Sequence, residues 1–106
     1  VVGQPTKTVY SATKGALIAG SKSLALELAR NKIRVNCISP GMVKTGMSQA
    51  LLDKVTPGAL LEIQKAHPLG IGEPEDIADT CVFLLSDSAK WITGTNIIVD
   101  GGYTAQ

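Results

Sequence analysis

The sequence predicts an α/β protein, the second part of a larger domain built on a parallel sheet. Three observations predict it. A long helical segment comes first, with no strand before it. Two short β-branched segments follow, separated by helical ones, which implies a parallel pair with a right-handed crossover. The last of them contains Ile97-Ile98-Val99 without alternation, the pattern of a parallel strand covered on both faces.

The elements follow in order. Residues 10–31 read as one helix, rich in Ala, Ser and Gly and free of Pro. Its small residues, Ala12, Ala16, Ala19 and Gly20, permit close approach by another element. Asn31 is the predicted stop, since Asn tolerates the left-handed conformation. Residues 33–38 alternate at first and read as a strand, ended by Ser39-Pro40-Gly41. Two short helices are predicted at roughly 47–54 and 57–66, the second with Thr56 as N-cap and Pro57 at its first position. Glu73-Pro74-Glu75-Asp76 starts a helix to about residue 86, with acids where the dipole favours them. Ile77, Cys81, Leu84 and Leu85 form its apolar stripe. Residues 96–100 are the second strand, stopped by Gly101-Gly102. Two strands are fewer than the five or six of a mean sheet, so a further neighbour is required.

Composition narrows the function classes. The 106 residues suffice for one domain. Ten Lys plus Arg against nine Asp plus Glu leave a net charge of +1, so nothing points to a nucleic-acid partner. No apolar run approaches the roughly 20 residues of a membrane helix, and Val1-Val2-Gly3-Gln4-Pro5 does not look like a signal peptide. Cys37 and Cys81 sit in apolar segments and read as buried thiols in a reducing compartment, the cytoplasm. No metal site is expected; Glu75, Asp76 and Asp79 read as a solvated helix start. His67, the one histidine, reads as structural, and Trp91 as packing or a subunit contact. Met42 and Met47 are candidates for lining a substrate pocket.

Tyr10 and Lys14 are i and i+4 on one helix face. A tyrosine hydroxyl ordinarily titrates at about 10, and an ammonium fixed beside a phenol favours the phenolate. Such a pair can exchange a proton with an alcohol or carbonyl oxygen. Alone, a Tyr-x-x-x-Lys is most simply a surface pair. Here it opens a small-residue helix. Ser39-Pro40-Gly41 follows, then Val43 and Thr45, Pro68-Leu69-Gly70, Gly72-Glu73-Pro74-Glu75-Asp76, Ile92-Thr93-Gly94 and Val99-Asp100-Gly101-Gly102. The ordered series resembles the C-terminal part of the short-chain dehydrogenase/reductase family. It is most similar to the branch of 3-oxoacyl-carrier-protein reductases and polyol dehydrogenases.

The resemblance covers essentially the whole chain. It implies the C-terminal portion of a doubly wound, Rossmann-like parallel sheet, incomplete in this chain. It implies hydride transfer between NAD or NADP and a small alcohol or carbonyl substrate. By resemblance, Tyr10 is the catalytic acid/base. Lys14 both supports Tyr10 and binds the nicotinamide ribose. Pro40 and Gly41 line the nicotinamide, the Val43 backbone meets its carboxamide, and the Thr45 hydroxyl contacts carboxamide or phosphate. A homo-oligomer, a tetramer in the intact protein, is implied as well.

Several family features are missing from these residues: the Gly-rich phosphate loop, the residue that selects NAD or NADP, the Asn-Ala-Gly segment and the catalytic serine. Ser11, adjacent to Tyr10, does not match that serine. Ile71 stands where relatives often carry Arg. The chain alone is therefore expected to be inactive, with residues 1–106 forming the C-terminal part of a single oxidoreductase domain. The alternatives are a non-catalytic fragment or truncated homologue acting only as a packing module, and a binding or regulatory member of the family.

Overall fold

The computed structural model of the protein describes residues 8–106. The order is α1 (Thr8–Leu28), β1 (Cys37–Pro40), α2 (Gly46–Leu52), α3 (Pro57–Lys65), α4 (Pro74–Leu85) and β2 (Asn96–Val99), with 3-10 turns at Ala29–Asn31, Asp87–Ala89 and Tyr103–Ala105. β1 and β2 form a two-stranded sheet. The Cys37 N–H donates to Thr95 O at 2.9 Å and the Gly41 N–H to Val99 O at 2.8 Å. Donor and acceptor advance together, so the pair is parallel.

The chain divides into two compact units. The first comprises, among the described residues, 8–38 and 83–97; the second comprises 39–82 and 98–106.

In the first unit, Ala25, Leu84 and Ala89 are buried. Ala25 packs on the turn at Gly94, where a Cβ would lie 3.6 Å from the Ala25 methyl; Gly94 itself has φ +71°. The approach to β1 is held by side chains rather than by a ladder. The Val35 N–H donates to Thr93 Oγ1 at 3.0 Å. Asn36 accepts from the Thr95 N–H and donates to Ile92 O. The Arg34 guanidinium donates to the carbonyls of Ile92 and Ser86.

In the second unit, a parallel bridge joins Val43 to Gly72. Both helices of the 46–65 segment start on threonine caps: Thr45 accepts from the Ser48 N–H at 3.1 Å and Thr56 from the Ala59 N–H at 3.1 Å. The Asp76 carboxylate accepts from the Glu73 N–H at 2.8 Å, which satisfies an orphan donor at the start of α4.

Several expectations need correction. The strand predicted at 33–38 is displaced to Cys37–Pro40. Its register comes from β2, and the side chains just described occupy the stretch before it. It ends, as expected, within Ser39-Pro40-Gly41, with Pro40 the last residue of the strand. The Cys37 and Gly41 N–H groups donate to Thr95 and Val99, and alternation leaves Pro40, which has no N–H, facing away. The first helix ends at Leu28, and the left-handed residue is Lys32, at φ 61°, not Asn31. Neither cysteine is buried; Cys37 and Cys81 are half-exposed free thiols. Trp91 does not pack within the chain, being 96% exposed. Much apolar surface on α1 and α4 is open in the same way, including Leu17, Leu24, Val82 and Leu85.

Candidate active site

The six residues singled out from the sequence fall into two groups, one in each unit. Tyr10 and Lys14 lie on α1. The helix carries them one turn apart, and Lys14 Nζ stands 5.6 Å from the centre of the Tyr10 ring, within cation–π range. The Tyr10 side chain is exposed. One face of this helix thus presents a phenol and an ammonium together.

Pro40, Gly41, Val43 and Thr45 form a continuous run from the end of β1 to the cap of α2. Gly41 must be glycine, because a Cβ there would lie 2.7 Å from the Asp100 Cα. Val43 is fixed from both flanks: the Gly72 N–H donates to Met42 O at 2.9 Å and the Lys44 N–H to Gly72 O at 2.8 Å. The Val43 carbonyl accepts from Ser48 Oγ at 2.6 Å. Thr45 forms a capping box with Ser48, whose Oγ accepts the Thr45 N–H at 2.8 Å. The loop is therefore a short, hydrogen-bonded rim that offers backbone groups and one hydroxyl. Lys44, beside it, pairs with Glu73 at 2.9 Å, an exposed contact of small energetic weight.

Sequence reasoning missed three features. The Thr45–Ser48 box is written in the sequence as Thr-x-x-Ser but is not the usual Thr-x-x-Glu form. Asp100 is a hub: its carboxylate accepts from the Gly102 N–H, the Thr104 N–H and the Thr104 hydroxyl. The Thr104 hydroxyl above all, then the backbone N–H groups, hold that carboxyl below its ordinary value of 3.8. His67 is buried and stacked on Tyr103. Their distance apart in the chain gives no local signal. Met42 is half-buried beside the bridge, whereas Met47 is 86% exposed on α2. Among the described residues, no three His, Cys, Asp or Glu side chains cluster as metal ligands. Among the same residues, no helix is long and apolar enough to cross a membrane.

Known proteins resemble this chain throughout. A family profile described as enoyl-(acyl carrier protein) reductase matches residues 1–104. The NADP-dependent (R)-specific alcohol dehydrogenase of Lentilactobacillus kefiri is 46% identical over 109 aligned residues, covering 99% of this chain and 42% of that protein. Among solved structures, a 4-hydroxyisoleucine dehydrogenase complexed with NADH superposes with a TM-score of 0.90 at 36% identity, over 99% of this chain and 43% of that one. A short chain dehydrogenase family protein from Francisella tularensis gives 0.83 at 42% identity, over 99% of this chain and 47% of that one. The chain thus spans between two fifths and one half of the length of these three proteins.

Proposed function

The chain belongs to the short-chain dehydrogenase/reductase family, and on that premise we propose that it is the C-terminal part of an NAD(P)-dependent oxidoreductase acting on a small carbonyl or alcohol. The observation that carries this reading is the Lys14 ammonium 5.6 Å from the centre of the Tyr10 ring on one helix face.

In the reducing direction, a nicotinamide held by these residues would supply the hydride that reaches the carbonyl carbon. The Tyr10 hydroxyl gives its proton to the carbonyl oxygen, and an alcohol and the oxidised cofactor result. In reverse, Tyr10 takes the alcohol proton. Lys14 lies beside the phenol on the same helix face, and would bind the cofactor ribose. Pro40 and Gly41 would line the nicotinamide. The Val43 backbone and the Thr45 hydroxyl bind the carboxamide end. The donor set suits that group. The loop is pinned at Gly41 by the bond to Val99 and at Val43 by the bridge to Gly72, so its polar groups need little ordering on binding.

A serine that would polarise the same oxygen, and the phosphate-binding loop, are not found among residues 1–106. Residues 1–106 are then one part of a single domain, inactive in isolation. The apolar side chains open on α1 and α4 favour this, and equally a second reading in which the isolated chain only packs against other chains. Two free thiols support a reducing compartment, and we place the protein in the cytoplasm.

Titration with NADH and NADPH followed by fluorescence tests the proposal. The intact protein should bind one of them saturably, and the 106-residue chain neither. No binding by the intact protein would contradict the oxidoreductase reading. Saturable binding by the isolated chain would contradict its inactivity.

A further inference from the structure

Asp100 folds the C-terminal residues into a compact hook. Its Oδ1 accepts from the Gly102 N–H at 3.0 Å; its Oδ2 accepts from the Thr104 N–H at 3.0 Å and the Thr104 hydroxyl at 2.6 Å. The hook grips the turn that follows α3. The His67 and Tyr103 rings stack with centroids 4.9 Å apart and planes 17° from parallel. The Leu69 N–H donates to Gly101 O at 3.0 Å. Gln106 Nε2 donates to Ala66 O at 2.7 Å and to Tyr103 O at 3.1 Å. His67 cannot drift, because it is 8% exposed and its Nδ1 lies 2.6 Å from Ile63 O.

The gripped turn reaches the 40–45 loop. Gly72, at its far end, makes both bonds of the bridge to Met42 and Lys44. The hook also meets the loop directly, where Asp100 packs against Gly41. All of these contacts lie within the second unit. The packing between them is not gapless: a cavity of about 100 Å³ lies among Met42, Val43, Leu69, Asp76 and Asp100. A void of that kind gives the loop room to shift when the grip is lost, which close packing would deny it.

We infer that residues 100–106 are a positioning element for the 40–45 loop, and that Tyr103 and Gln106 set nicotinamide-cofactor affinity without touching the cofactor. The inference rests on the proposed role of that loop. A loop held in place before binding loses little freedom on binding; one released from the hook must be ordered at the expense of affinity. The proton transfer at Tyr10 is a separate event, so the effect falls on the cofactor constant and not on the rate at saturation.

The test uses the intact oxidoreductase and its Tyr103→Ala, Tyr103→Phe and Gln106→Ala variants. Dissociation constants for NADH and NADPH are measured by fluorescence, with carbonyl KM, kcat at saturating cofactor, and Tm alongside. Tyr103→Ala should raise the cofactor constant about three- to tenfold, the factor that one aromatic pair carries. Tyr103→Phe, which keeps the stack, should restore the wild-type constant. Gln106→Ala should raise it less than Tyr103→Ala, with kcat unchanged in all three. An unchanged cofactor constant in folded Tyr103→Ala would overturn the inference and leave the proposed function standing. Should Tyr103→Ala fail to fold, an unchanged constant in Gln106→Ala would overturn it in the same way. A wild-type protein that binds neither cofactor would overturn both.

Discussion

Gly41 and Asp100 approach so closely that no side chain fits between them: a Cβ on Gly41 would stand 2.7 Å from both the Cα and the Cβ of Asp100. The neighbour is backbone and cannot swing aside. Gly41→Ala in the intact protein should therefore lower stability by about 1–3 kcal/mol, the usual cost of overpacking. Gly58→Ala, at a glycine with nothing within 4 Å of its Cβ position, is the control and should not destabilise. Urea midpoints measure both. Equal midpoints would show that the 41–100 contact gives way easily.

Thr45 has two roles to separate. It caps α2, and it is proposed to contact the cofactor. Thr45→Val should cost about 1 kcal/mol of stability through the lost cap, and about the same in cofactor affinity through one lost hydrogen bond. Thr45→Ser should retain both. A Thr45→Val protein that is less stable but binds NADH and NADPH normally would leave Thr45 a cap alone.

The Asp100 carboxyl sits below 3.8 because its ionised form accepts the Thr104 hydroxyl and two backbone N–H groups. A lowered folded value stabilises the hook fully above the unfolded value, and this contribution disappears as pH falls through the folded one. The Thr104 amide resonance should thus titrate with an inflection below 3.8, and the inflection should vanish in Asp100→Asn. An inflection at or above that value would mean that the hook is not formed.

β2 carries Ile98, 49% exposed, and among the described residues pairs with β1 alone; Trp91 is exposed close by in sequence. Apolar edges are normally paired or covered, and a two-fold axis would cover both copies at once. Ile98→Lys should lower the assembly state in light scattering, or precipitate the protein. A wild-type protein that is a monodisperse monomer at high concentration would show that the edge is managed otherwise.

What was legible in the sequence was local. Thr56-Pro57 and the acidic start at Glu75-Asp76 mark where α3 and α4 begin, because caps and dipoles act within one turn. The i, i+4 spacing of Tyr10 and Lys14 places them on one face for the same reason. The bounds of β1 were not legible, since its register depends on Thr95 and Val99, far along the chain. The half-exposure of Cys37 and Cys81 was not legible either: apolar periodicity reports which face wants burial, not whether these residues supply the cover. The His67–Tyr103 stack and the Gly41–Asp100 contact join distant residues that no spacing rule connects.

The proton transfer proposed for Tyr10 is tested by Tyr10→Phe in the intact protein. The ring and its place beside Lys14 remain; only the transferable proton is lost. Carbonyl reduction by NADH or NADPH should fall at least about a hundredfold, the lower end of what general acid catalysis contributes, while the dissociation constant of the cofactor stays that of the wild type. A Tyr10→Phe protein that keeps more than about a hundredth of the wild-type rate would contradict an acid/base role for Tyr10.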